Sequence, residues 1–217
     1  MPLLDLTLVR HATTAWNTAG RWQGHSDVPL SAQGEAQGRA LSKRLRGQEY
    51  DAAYSSDLLR TRRTAELALG QAVSPVLDAR LRELHFGAFE GRELGTNTAH
   101  PGWPTWRADP WNEATPGGES LAQVAARLGA WAGELPNGRI IAFSHGLAIR
   151  ALLHHLLGWP VQQRPEHPYP FPFQIKLEHT SLTRLRRTPH GWEVLSLGDC
   201  AHLEKWAGVL EQESAPV

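Results

Sequence analysis

Two short apolar runs constrain this chain most: residues 6–9 (LTLV) and 139–143 (RIIAF), each β-prone and each ending in a polar residue and a histidine, Arg10-His11 and Ser144-His145. The second has the pattern of a buried strand, as strands covered by helices on both faces do. The rest of the chain reads in the same rhythm. Ser31 opens a helical pattern carried by Ala36, Ala40, Leu41 and Leu45, residues 52–55 form a short strand, and Asp57 stands as N-cap of a helix running through Leu58, Thr61, Ala65 and Leu69 to Gly70. Residues 73–77 read as another strand. Ser120 with Gln123 fits a capping box ahead of a helix faced by Leu121, Val124, Ala125, Leu128, Trp131 and Leu135. Residues 147–157 are helical up to Gly158 and Pro160, and residues 181–187 and 192–197 form an antiparallel hairpin across Thr188-Pro189-His190-Gly191. This alternation predicts an α/β fold, a three-layer α/β/α sandwich with a mostly parallel central sheet.

Length and charge narrow the role. A chain of 217 residues suits one domain, here taken as 1–217. Its 22 basic and 22 acidic side chains cancel, so no global field favours nucleic acid or an anionic membrane, and an anion site has to be built locally. The single cysteine, Cys200, excludes an intrachain disulfide and a thiolate zinc cluster. The N-terminal residues lack the pattern of a signal peptide and no run of about 18 apolar residues occurs, so a soluble cytoplasmic protein is expected.

Two stretches break the rhythm. Residues 85–118 carry Trp103, Trp106 and Trp111 among Pro101, Pro104, Pro110 and Pro116, and residues 164–173 read RPEHPYPFPF. Aromatics spaced by prolines form packed surface excursions, and in an α/β enzyme these overhang the active edge. Residues 85–118 are therefore expected to be a substrate lid.

In a parallel sheet, functional groups gather where strands end. His11 and His145 end two strands, Arg60 follows the strand at 52–55, and Glu83 follows the one at 73–77. Four distant segments thus bring Arg10, His11, Arg60, Glu83 and His145 to one edge. A guanidinium fork matches phosphate oxygens, and an unprotonated imidazole nitrogen can attack phosphorus. Glu83 could instead pair with Arg80 or Arg82, leaving Glu90 as the alternative carboxylate. His154 and His155 belong to a packed or exposed helix face. Three histidines, His11, His145 and His154, raise the question of zinc, but neighbouring arginines oppose a cation, so neither metal nor cofactor is expected.

The ordered blocks LVRHATTAWN, GRWQGHSDVPLSAQGEAQ, YSSDLLRTRRTAE, LRELHFGAFEG, GGES and AFSHGLAIRALL closely resemble the histidine phosphatase superfamily, branch one, which contains cofactor-dependent phosphoglycerate mutases and many small phosphatases. The resemblance spans roughly residues 6–155 and continues later only through Thr180-Ser181-Leu182-Thr183. It implies a phosphoglycerate mutase-like fold and a phosphoenzyme mechanism. His11 would be the nucleophile, Arg10, Arg60 and His145 would bind the transferring phosphoryl group, and Glu83 would protonate the leaving oxygen and then activate water. Asn17 and Gln23 would be further oxygen ligands.

Phosphatase and mutase share these residues, so the surroundings have to discriminate. A mutase must close over its intermediate and grip a second acidic group, yet between Glu83 and Gly117 the chain has Arg92 and Arg107 and no lysine. Hydrolysis of a small phosphate monoester is therefore expected, with an apolar or aromatic portion stacked on Trp103, Trp106 or Trp111. The alternatives are phosphoglycerate mutase-type phosphotransfer and a non-catalytic phosphate-binding relative.

Overall fold

The structure, a computed structural model, describes residues 3–70, 73–161 and 174–206. Its elements in chain order are β1 (Leu4–Arg10), α1 (Ala15–Thr18), α2 (Ala32–Leu45), β2 (Ala52–Ser55), α3 (Leu59–Leu69), β3 (Val76–Leu77), α4 (Trp103–Ala108), α5 (Leu121–Glu134), β4 (Gly138–Ser144), α6 (Gly146–Leu157), β5 (Leu182–Thr188) and β6 (Gly191–Asp199). The strands form one six-stranded sheet in the order β3-β2-β4-β1-β5-β6. The first four of these are parallel to one another, and the β5–β6 hairpin closes the sheet antiparallel beside β1. This is the α/β/α sandwich expected from the sequence.

Alternation along the two central strands builds both layers. Leu4, Leu6 and Leu8 of β1 and Ile140 and Ala142 of β4 face α5 and α6, where they meet Val124, Leu128, Trp131 and Leu152. Val9, Ile141 and Phe143 point the other way, onto Leu41 and Leu45 of α2 and Ala65 and Ala68 of α3. With both faces covered, β1 and β4 carry hydrophobic side chains on both sides, Leu6, Leu8 and Val9 in one and Ile140 to Phe143 in the other, which is why each reads as a short apolar run.

The sequence reading departs from the structure at two element boundaries. Asp57 does not cap α3: the N-cap is Leu58, with no side-chain cap bond. The Asp57 carboxylate is held by Arg82 (Nε to Oδ1, 2.7 Å), and the Leu59 amide donates instead to Asp27, at 2.7 Å. A tertiary partner has taken the capping role. The strand at 73–77 shortens to Val76–Leu77, both exposed, as a blunted sheet edge. The proline-spaced stretch 164–173 lies outside the described residues. Among the described residues no helix is long and apolar enough to cross a membrane.

Candidate active site

Register brings the two histidines together. Arg10 pairs with Ser144 across β1 and β4, and the next amide, that of His11, donates to the Ser144 carbonyl at 2.9 Å. The rings of His11 and His145 consequently lie 5.1 Å apart, centroid to centroid. The loop after β1 is pinned from below: the Ala12 amide donates to Thr64 of α3 at 3.0 Å, and the Thr13 amide to Gln37 of α2 at 2.9 Å. Helix α2 comes so near that a Cβ on Gly34 would fall 2.0 Å from the Thr13 carbonyl, so only glycine fits there.

His11 and His145 are both buried, and both are held well below the usual histidine range, first by desolvation and then by the charge of Arg60. The Nδ1 of His11 lies 2.7 Å from the Ala12 carbonyl, an atom that can only accept, so Nδ1 carries the proton. Neither ring nitrogen of His145 has a protein partner among the described residues.

Arg60 is fully buried on the first turn of α3 and donates to the carbonyls of Ser26 (2.9 Å) and Gly24 (2.7 Å). Its Nε has no partner among the described residues. Burial pulls its pKa down to about 10, opposed by Glu83, so the guanidinium stays charged at neutral pH. Glu90 clasps the same loop from the other side, accepting from the amides of His25 (2.9 Å) and Ser26 (2.8 Å) and from the Ser26 hydroxyl (2.6 Å). Gly24, at φ +55°, runs so close that its Cβ would lie 2.2 Å from a Glu90 oxygen. Glu90 is thus turned into the loop, and it is not among the residues that line the cleft.

Glu83 pairs with neither Arg80 nor Arg82, which are held by Asp78 and Glu134 and by Asp57 respectively. Its carboxylate instead accepts the amides of Leu147 (3.1 Å) and Ala148 (2.9 Å) at the start of α6, where the helix dipole favours an anion. Arg127 of α5 fixes the chain that presents it, donating to the carbonyls of Arg80 (2.6 Å), Arg82 (2.8 Å) and Glu83 (2.8 Å). Glu119 in turn holds Arg127 at 2.9 Å, a role for the GGES block that sequence reasoning did not assign.

One cleft is lined by Arg10, His11, Asn17, Gln23, Arg60 and Glu83, together with Arg21, Trp22, Phe86, Leu94 and Arg150. Asn17 closes a capping box with Thr14, whose amide and hydroxyl both lie 3.0 Å from its Oδ1, and Gln23 sits 3.0 Å from the same hydroxyl. The structure does not bring Trp103, Trp106 or Trp111 to this cleft. Trp106 is only 2% exposed and packs edge-on against Trp22 and Phe89, Trp103 packs against the same cluster, and Trp111 packs on His154. The tryptophans of residues 85–118 tie that segment to the main core and to α6, and Trp22, Phe86 and Leu94 form the apolar wall. Sequence reasoning also passed over His179, buried with its ring 5.3 Å from that of His11, although it immediately precedes the Thr180-Ser181 block.

Cationic and neutral donors around an imidazole with an available nitrogen suit an oxyanion. Comparison with known proteins agrees. The sequence profile of the histidine phosphatase superfamily (branch 1) matches residues 6–200. A protein of Erwinia tasmaniensis named probable phosphoglycerate mutase GpmB is 36% identical, covering 94% of this chain and 97% of its own length. Among solved structures, Bacillus stearothermophilus YhfR superposes with a TM-score of 0.78 at 28% identity, covering 93% of this chain and 100% of that one. A mycobacterial glucosyl-3-phosphoglycerate phosphatase, solved with VO3, superposes with a TM-score of 0.74 at 28% identity over 90% of this chain and 98% of that one.

Proposed function

Because the chain belongs to the histidine phosphatase superfamily, branch 1, we propose that it is a metal-independent phosphatase acting on a small phosphate monoester through a phosphohistidine. His11 Nε2 attacks phosphorus and the bond from phosphorus to the ester oxygen breaks, with Glu83, protonated in the substrate complex, passing its proton to the departing oxygen. Arg10, Arg60 and His145 hold the equatorial oxygens, with Asn17 and Gln23 as outer ligands, and neutralise charge as it spreads over them. Glu83 then takes a proton from water, which attacks phosphorus and frees His11 and inorganic phosphate. Residues 85–118 serve as the lid.

The observation that carries hydrolysis is the open mouth of the cleft. Leu94 stands 39% exposed and the Arg21 side chain 41% exposed, so water reaches a site in which phosphohistidine would otherwise persist. A second reading, phosphoglycerate mutase-type transfer, is favoured by Arg21 and Arg150, which supply the cleft with cations from outside residues 85–118, where sequence reasoning looked for them. Assaying inorganic phosphate release against isomerisation of phosphoglycerate, after exhaustive chelation, separates the two. Release without isomerisation supports the phosphatase, isomerisation as the dominant activity replaces it with the mutase, and activity restored only by added metal removes the metal-free scheme.

A further inference from the structure

The segment 177–181 brackets the dipeptide Arg10-His11. Arg10 donates from Nη1 to the Leu177 carbonyl at 2.6 Å, and its Nη2 lies 3.2 Å from His179 Nε2. His179 Nδ1 lies 3.1 Å from the His11 carbonyl. The main chain completes the bracket: the Thr180 amide donates to the Arg10 carbonyl at 3.0 Å, and the Arg10 amide to the Ser181 carbonyl at 3.3 Å. To make these bonds Thr180 adopts φ +61°, the only positive φ of a non-glycine residue among the described residues. For a β-branched side chain that backbone is strained, and it persists only where the surroundings over-determine it.

The contacts decide the chemical state of His179. A guanidinium can only donate and a carbonyl can only accept, so Nε2 carries the lone pair and Nδ1 the proton. The ring is therefore neutral. Burial and the neighbouring charge of Arg10 also keep it so. This matters for what Arg10 can do. Acceptors at both Nη nitrogens define the plane of the guanidinium, and the Leu177 carbonyl and the His179 ring are both uncharged. A carboxylate in the place of His179 would hold the plane equally well but would cancel the charge that attracts phosphate.

We propose that His179 is a positioning residue for phosphoryl transfer, the Nε2 lone pair of its uncharged imidazole fixing the Arg10 guanidinium against the transferring group without itself adding a counter-charge. The proposal rests on the phosphohistidine reading of the site.

Three substitutions separate the two ends of the ring. In His179→Gln the amide oxygen reaches the place of Nε2 and keeps an acceptor for Arg10, whereas in His179→Asn the amide nitrogen takes the place of Nδ1 and keeps only the donor to His11. His179→Ala loses both. Rapid-quench labelling measures phosphohistidine formation, calorimetry measures affinity for inorganic phosphate, and thermal unfolding monitors the fold. The expected result is that the Asn and Ala variants form phosphoenzyme about tenfold or more slowly, while the Gln variant stays within about threefold of the native rate, since small misplacements of a phosphate ligand are costly. Phosphate affinity is expected to follow the same order. A Gln variant as slow as the Asn variant, or an Ala variant with the native rate and affinity, would overturn the proposal even if the Ala variant were destabilised in the first case. A native protein that never labels would instead overturn the reading of His11, and the calorimetric order would then decide on His179 alone.

Discussion

His11 donates from Nδ1 to the carbonyl of its own neighbour Ala12 at 2.7 Å, a local bond that leaves Nε2 as the ring nitrogen with the lone pair. A nucleophile set in this way needs no separate base to deprotonate it. His11→Ala is expected to abolish phosphoenzyme formation and to lower turnover by at least about a thousandfold, with the fold retained. Rapid-quench labelling should give an acid-labile, base-stable adduct on the native protein, and label surviving on the alanine variant would remove His11 from the mechanism.

Glu83 carries two duties that one substitution can separate. An alkoxide leaves phosphorus only with a proton, whereas p-nitrophenolate leaves without one, so Glu83→Gln is expected to slow an alkyl phosphate roughly a hundredfold more than p-nitrophenyl phosphate. The measurement is single-turnover phosphoenzyme formation, because hydrolysis of the intermediate also uses Glu83. Equal slowing of both substrates in that step would transfer the acid role elsewhere. Because a glutamine can offer only one carbonyl oxygen to the amides of Leu84, Leu147 and Ala148, the variant is also expected to lose about 1–3 kcal/mol of stability.

The aromatic wall yields a pair of contrasting outcomes. Trp106→Ala opens a cavity in the packed cluster of Trp22, Phe86, Phe89 and Trp103 and is expected to cost about 3–5 kcal/mol, without reordering substrate preference. Leu94→Ala, at the exposed mouth of the cleft, is expected to leave the denaturation midpoint unchanged while raising KM for bulky apolar phosphates more than for small polar ones. The reverse pattern in urea unfolding and a substrate panel would place Trp106, and not Leu94, against the substrate.

His11, His145 and His179 are all held well below the usual histidine range by burial and by Arg60 or Arg10. Above the ordinary value near 6.5 neither the folded nor the unfolded chain protonates them, and stability is fully present. As pH falls below that value the unfolded chain binds protons that the folded site refuses, so stability is lost by up to about 1.4 kcal/mol per pH unit for each histidine. Urea unfolding in phosphate-free buffer is therefore expected to show a lower midpoint at pH 5.5 than at pH 7.5, and His25, His154 and His202, also lowered by burial, act in the same direction. Equal midpoints would mean that the three imidazoles accept protons as readily folded as unfolded.

Much of the site was legible because it hangs on short local patterns. Residues 6–9 announced a strand and residues 139–143 a buried one, and the polar residues ending them, Arg10-His11 and Ser144-His145, fell at the same edge as soon as the strands were parallel. Ser31 and Ser120 cap α2 and α5 as their spacing implied, since a cap depends on atoms within one turn. Asp57 failed as a cap for the opposite reason. Arg82 and Asp27 are distant in sequence, and their competition for the same groups exists only once the chain is folded. The tryptophans of residues 85–118 mark the same boundary, because composition signals an aromatic cluster without saying which ring faces inward.

From the sequence alone, then, come the α/β alternation and the candidates His11, Arg10, Arg60 and His145 at one sheet edge, because each follows a strand end or a local motif. Tertiary structure alone decided which carboxylate is left for the cleft, with Glu90 consumed by the loop at Gly24 and Ser26 and Glu83 seated on the first amides of α6. It also placed His179 against Arg10 across 169 positions of sequence. The physical reason is the same in each case: a hydrogen bond is satisfied by whichever partner the packed chain presents, and only long-range packing determines which partner arrives first at the right angle.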